Sequence, residues 1–223
     1  MSQTRLSKRL ERAANAVREG KRVADVGCDH GKLCAYLVLS GKAQFATAID
    51  ISAPSLEKAK SLFKSLNIEN KTKTLLCDGL SALSCDEADD VVIAGVGYDT
   101  IAGIIDACGW IKDASKRLVL VPASHHERVR KYLYANGFVI QGESAVYEDD
   151  QSYTVIVAAY SGDKKEISDG FAWLGLIKPD AQDGAEYIKR VLNVQKTMLN
   201  APCEQEKKER ARAIIEYIEK ELI

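Results

Sequence analysis

Val23-Ala24-Asp25-Val26-Gly27-Cys28-Asp29-His30-Gly31 is the stretch that decides the fold. Arg22 to Gly27 is short, apolar and closed by a glycine, the pattern of a buried strand. Lys32 to Ser40 then has a helical pattern, stopped by Gly41. A strand that turns on glycine directly into a helix is the opening unit of an open α/β sheet. Gly27 lets a ligand approach the backbone closely, and Gly31 lets the helix pack closely. The spacing is not G-x-G-x-x-G, so the pyrophosphate fingerprint of nicotinamide and flavin enzymes is missing, and no G-x-x-x-x-G-K-[ST] cradle for a triphosphate occurs.

Outward from this turn the alternation continues. Gln44 to Ile51 is a second strand, Pro54 opens a helix running to Leu66, and Thr72 to Cys77 and Asp90 to Gly95 are further strands. A helix over Thr100 to Cys108, a strand over Arg117 to Val121 and a helix over Glu127 to Ala135 follow. Strands separated by helices imply a mostly parallel, doubly wound sheet. Phe138 to Tyr147 and Ser152 to Tyr160 have no helix between them, so they form an antiparallel hairpin at its end.

Before the opening strand, Leu6, Leu10, Ala13, Ala14 and Val17 mark an amphipathic helix that stops at Gly20. After Ser161-Gly162-Asp163 the pattern becomes purely helical. Ile188, Val191, Leu192, Gln195, Met198 and Leu199 form one stripe, Ile214, Ile215, Ile218 and Leu222 another, with Asn200-Ala201-Pro202 between them. The expected division is therefore a Rossmann-like domain over 1–162 and a helical hairpin over 163–223.

Composition excludes several classes. No apolar run reaches the roughly eighteen residues of a transmembrane helix. The start MSQTRLSKRLERAANAV lacks the apolar core of a secretion signal. Six scattered cysteines without a C-x-x-C pair suit a reducing, cytoplasmic setting. With no H-E-x-x-H and no Cys/His cluster, no metal is expected. His125 and His126 read as helix-start or surface residues. The net charge is −1, yet Arg5, Lys8, Arg9, Arg12, Arg18, Lys21 and Arg22 face only Glu11 and Glu19 at the start of the chain. A local basic surface is what phosphate contacts require. Nothing in the sequence demands an oligomer, so a monomer is expected.

Three acids stand at successive strand ends. Asp25, just before the glycine turn, suits a cationic group better than a phosphate, and the ammonium of S-adenosylmethionine is such a group. Asp50, about twenty residues on, can accept both hydroxyl hydrogens of a ribose. Asp78, in Cys77-Asp78-Gly79-Leu80, can accept the adenine amino group. Any one of them could be a helix cap. Gly27, Cys28, Ile51, Gly79 and Gly95 complete the candidate cofactor site. The fourth strand ends in Gly95-Val96-Gly97-Tyr98, where an acceptor would meet the methyl group. Tyr98 either stacks on a planar substrate or caps the next helix. Asp29 either stabilises positive charge on a methylated ring or holds the turn together.

Taken together these residues resemble the TrmK-type bacterial tRNA (adenine-N1)-methyltransferases, which act at tRNA position 22. The resemblance runs from Leu6-Ser7-Lys8-Arg9-Leu10 through Ala24-Asp25-Val26-Gly27-Cys28-Asp29-His30, Gly79-Leu80, Ile93-Ala94-Gly95-Val96-Gly97, Tyr132-Leu133-Tyr134 and Gly137-Phe138 to Glu148-Asp149 and Tyr153. It implies a seven-stranded sheet, S-adenosylmethionine as methyl donor and a C-terminal hairpin that helps hold tRNA. Asp29 and Tyr98 are then the catalytic candidates, and Arg5, Lys8, Arg9 and Tyr153 the candidates for the RNA. Two stretches depart from the family: Gly95-Val96-Gly97-Tyr98 stands where G-M-G-G is usual, and Val121-Pro122-Ala123 where Q-P-N is. Both fall on the acceptor side. A methyltransferase on another RNA or a small molecule, and a non-catalytic S-adenosylmethionine-binding interaction module, are the alternatives.

Overall fold

The computed structural model describes residues 5–179 and 181–222. Residues 1–4, part of the stretch read above for a secretion signal, lie outside the described residues. The expected alternation is present as α1 (Lys8–Ala16), β1 (Lys21–Val26), α2 (Lys32–Leu39), β2 (Ala43–Asp50), α3 (Ala53–Ser65), β3 (Thr72–Leu76), β4 (Asp90–Ala94), α4 (Tyr98–Asp106), β5 (Arg117–Val121) and α5 (His126–Ala135). The hairpin strands are β6 (Phe138–Glu148) and β7 (Gln151–Tyr160). Together they form a seven-stranded sheet in the order β3-β2-β1-β4-β5-β7-β6. Strands β1 to β5 are parallel, and β7 runs antiparallel to both β5 and β6. The order reverses between β1 and β4, which makes their carboxyl ends the place for a ligand.

The central strands β1, β4 and β5 are buried on both faces, and alternate residues serve different layers. Val23, Val92, Val119 and Val121 pack with Leu6, Ala13, Val17, Leu33 and Leu37 of the α1–α2 side. Ala24, Val91, Ile93, Leu118 and Leu120 face the other way, onto Ile101, Ile105, Val129 and Leu133 of α4 and α5.

Asp149 and Asp150 turn the hairpin with φ of 50° and 58°, the pair of left-handed residues a two-residue type I′ turn needs. Leu120 of β5 pairs with Ile156 of β7, so the hairpin projects beyond the carboxyl end of β5. Helix α1 begins at that projecting tip, where the Lys8 N–H donates to Glu148 Oε1 at 2.7 Å.

The C-terminal helices are α7 (Gln182–Asn200) and α8 (Gln205–Glu221), broken where expected. An unexpected short helix, α6 (Asp169–Leu174), precedes them, capped by Ser168, whose side chain accepts from the Phe171 N–H. Ile188, Val191, Ile214 and Ile218 share their core with Leu174 of α6 and Ala145 of β6, so the tail covers the edge strand of the sheet. No described helix is long and apolar enough to cross a membrane.

Candidate active site

The strand tips are held level by the sheet itself. Gly27 and Cys28 both donate their N–H to Ile49 O, at 2.9 and 3.0 Å, Cys77 N donates to Asp50 O, and Gly95 N donates to Val121 O. The turn after β1 then needs three left-handed residues, Gly27, Asp29 and Gly31, with φ of 77°, 50° and 68°. At Gly31 space matters as well: a Cβ would lie 2.8 Å from both Ala59 Cβ and the Phe63 ring. Gly27 and Gly95 are different. A Cβ on either would meet nothing within 4 Å, so the backbone at the ends of β1 and β4 borders open space.

Asp25 is buried (4% exposed) directly below this turn. Its nearest polar partner is the Cys34 thiol at 3.9 Å, and among the described residues it has no ion pair. Burial raises its pKa to about 7, with repulsion from Asp50 adding to the effect. The same burial and the neighbouring carboxylates push the Cys28 thiol well up. Asp50 accepts from Ser52 N at 2.9 Å and Asp29 N at 3.2 Å. Each carboxylate oxygen keeps a further lone pair for a ligand. Ile51 is 74% exposed, an apolar side chain with no protein surface to cover it. Leu76, at the end of the adjoining β3, is 57% exposed in the same way. In sequence Thr72 to Cys77 reads simply as a strand, with nothing to single out Leu76. Asp78 is exposed and lines a cavity of about 360 Å³ together with Gly79, Leu80, Thr100 and Ile104.

The two catalytic candidates stand on opposite sides of Gly27. Asp29 is on the β2 side, tied to Asp50 through its N–H, with its side chain exposed. Its carboxylate lies 3.4 Å from His30 Nε2, which in turn lies 3.0 Å from Lys58 Nζ. Tyr98 is on the β4 side, as the first residue of α4. The Arg128 guanidinium lies 4.0 Å above its ring centroid, and the Tyr132 ring meets it edge-on at 6.2 Å. Tyr98 and Arg128 are on different helices, so sequence spacing carries no hint of this stack. The loops carrying them are joined by the Ala123 N–H, which donates to Val96 O at 2.9 Å.

Of the candidate RNA residues, Lys8, Arg9 and Tyr153 gather at the hairpin tip. Lys8 Nζ donates to Tyr147 O at 3.4 Å, Arg9 pairs with Glu148 at 3.5 Å and lies 4.9 Å above the Tyr153 ring, and Arg5 is exposed. Three further arginines of the N-terminal basic excess are engaged within the protein. Arg18 clasps the buried Asp90, Arg22 pairs with Asp89, and Arg12 reaches Asp183.

Behind the β5–α5 loop lies an interaction the sequence concealed. Arg130 and Glu143 are both fully buried and bonded to one another. The guanidinium also donates to Ala172 O, Trp173 O and the Tyr187 hydroxyl, which binds α5 and β6 to α6 and α7. The first residue of α5, His126, stacks on Tyr187 at 6.0 Å. Burial and the nearby Arg130 and Arg190 pull its pKa down to about 3, so it stays neutral. His126 is thus a half-buried packing residue at a helix start, whereas His125 is exposed.

Comparison with known proteins bears on this arrangement. Residues 6–156 match the family described as methyltransferase domain. The chain is 33% identical over 172 residues to the tRNA (adenine(22)-N(1))-methyltransferase of Bacillus subtilis (strain 168), covering 77% of this chain and 72% of the relative. The crystal structure of Streptococcus pneumoniae Sp1610 in complex with S-adenosyl-L-methionine is similar with a TM-score of 0.82 at 26% identity, over 98% of this chain and 100% of that one. The crystal structure of the B. subtilis M1A22 tRNA methyltransferase TrmK is similar with a TM-score of 0.78 at 26% identity, over 99% and 100%.

Proposed function

The chain belongs to the family of bacterial tRNA (adenine(22)-N(1))-methyltransferases, and from that premise we propose that it transfers a methyl group from S-adenosylmethionine to N1 of the adenine at position 22 of tRNA. The observation that carries this is Asp25, a buried carboxylate without a cationic partner among the described residues, beneath a glycine turn that opens onto bare space. Burying an acid in this way is costly unless a positive group arrives to meet it.

The donor set fits S-adenosylmethionine along its whole length. Asp25, Gly27 and Cys28 border the place for its amino acid portion, and Asp50 offers lone pairs to the ribose hydroxyls. Ile51 offers an apolar face to the adenine, with Asp78 and Gly79 at its amino edge. Gly95 leaves room beside the methyl group. When bound, the cofactor supplies a sulfonium methyl already activated for attack.

The protein's own work is therefore positioning and desolvation. N1 lies on the Watson–Crick edge, so the target adenine has to leave its stack before it can reach the β4 tip. Tyr98 walls that side. Methylation leaves the ring positive, and the exposed Asp29 carboxylate favours that charge from across the Gly27 turn. Lys8, Arg9 and Tyr153 at the projecting hairpin tip, with Arg5 and the helical tail of residues 163–223, hold the RNA beside the crevice, while residues 1–162 hold the cofactor. The enzyme works in the cytoplasm as a monomer. A different RNA acceptor is the second reading, favoured by Tyr98 and Arg128 occupying the acceptor side.

The test is incubation of the purified chain with methyl-labelled S-adenosylmethionine and bulk bacterial tRNA, followed by nucleoside analysis. The expected product is labelled 1-methyladenosine. Cofactor binding with no label in that nucleoside would overturn the assignment.

A further inference from the structure

We infer that Arg128 positions the acceptor by taking the phosphate beside the extruded adenosine, held ready for it by its place over the Tyr98 ring. This deepens the function proposed above and rests on it. Arg128 lies in the first turn of α5 and Tyr98 in the first turn of α4, so the pair bridges the helices that follow β5 and β4. The bridging loops are pinned by the bond from Ala123 to Val96 O, and a Cβ on Gly97 would lie 3.8 Å from Ser124 Oγ. The guanidinium is thereby fixed at the acceptor side of the crevice.

A guanidinium lying on a ring uses its face and leaves the N–H donors around its edge available. The other arginines nearby are differently engaged: Arg130 is bonded entirely inside the protein, and Arg190 donates to Ser152 O at 3.0 Å. Among the described residues Arg128 has one acidic partner, Asp99 at 3.5 Å, and the two side chains are 48% and 84% exposed. So long and exposed a pair contributes little to stability. An RNA phosphate, which accepts in the plane of the fork, is a better partner for the same donors. An extruded base brings its own phosphate to the pocket mouth, so base wall and phosphate clamp belong side by side.

Binding of tRNA to the full-length chain, measured across about 50–200 mM salt, tests the inference. Arg128→Ala should weaken binding about tenfold and lower the salt slope by about one, the signature of one lost phosphate contact. Arg128→Lys should keep the slope, since the charge remains. S-adenosylmethionine affinity should be unchanged in both. Lys64→Ala, in the last turn of α3 at the far edge of the sheet, is the control and should leave the slope alone. An Arg128→Ala slope equal to wild type, with wild-type tRNA binding intact, overturns this inference and leaves the methyltransferase assignment standing. No tRNA binding by the wild-type chain would overturn both.

Discussion

Two carboxylates lie buried on opposite faces of the sheet, and they are buried in opposite ways. Glu143 receives Arg130 Nη2 at 2.6 Å, Arg130 Nε at 3.0 Å and the Leu176 N–H at 3.0 Å. Burial works against the Arg130 charge, yet Glu143 more than offsets it and holds the guanidinium protonated. The fit has no slack: a Cβ on Gly175, whose φ is 65°, would fall 2.5 Å from Arg130 Nε. Asp25 has only a thiol at 3.9 Å and open space above the adjoining turn. A buried acid whose partners are all supplied by the chain is a structural joint. One whose partner is missing from the chain marks where a ligand completes the structure.

The largest effect should come from breaking the completed pair. Glu143→Ala or Arg130→Ala leaves a buried charge alone and should cost about 3–5 kcal/mol of unfolding free energy, read from urea titration. The double change Arg130→Met with Glu143→Leu should recover much of that loss, because an apolar pair leaves no charge unmatched. If either single variant proves as stable as wild type, the joint carries no load and the contrast with Asp25 fails.

Asp25 should behave in reverse. Asp25→Ala removes no internal bridge, so stability should hold or rise. S-adenosylmethionine affinity should fall about tenfold to a hundredfold, as the loss of a charge-assisted contact of about 1.5–3 kcal/mol implies. Calorimetric titration measures this directly, and unchanged affinity would remove Asp25 from the cofactor site.

pH sharpens the same contrast. The Asp25 pKa is raised to about 7, so the folded, ligand-free protein holds a proton that the unfolded chain releases near pH 4. The native state binds more protons over that window, so this contribution to stability is present below about pH 4. It is lost as pH rises toward about 7, and Asp25→Asn should abolish the slope. Cofactor binding needs the carboxylate, so affinity should fall about tenfold per unit as pH drops below about 7. A flat affinity profile from pH 5 to 8 would mean that Asp25 does not meet the ammonium.

The contrast also explains what could be read in advance. The cofactor half is local in sequence. Gly27, Asp50, Asp78 and Gly95 each follow an apolar run, and parallel pairing brings such tips level without any further information. The joint depends on a detail that periodicity hides. A bulge between Ile140 and Gly142 shifts the β6 register, placing Glu143 opposite Ile156. Strict alternation from Ile140 would send Glu143 to the other face, away from Arg130. Helix α6 escaped notice for a related reason: at six residues it is too short to show a periodic stripe, and its packing comes from α8 and α5. The Tyr98–Arg128 stack joins two helices whose sequences carry no mark of each other.

The smallest effect expected is at the outer rim of the joint. Tyr187 accepts from Arg130 Nη2 at 3.0 Å and donates to Trp173 O at 2.9 Å, while its ring stacks on His126. Tyr187→Phe keeps the ring and the stack and removes only the hydroxyl. Trp173 O still receives Arg130 Nη1 at 3.2 Å, and Glu143 still neutralises the guanidinium. The hydroxyl makes one bond with a charged partner and one with a neutral one, so the loss should be about 1–2 kcal/mol, with cofactor affinity unchanged. A loss as large as that of Glu143→Ala would mean that the hydroxyl, and not the ion pair, locks the tail to the sheet. Asp25 and Glu143 would then differ in degree of satisfaction and not in kind.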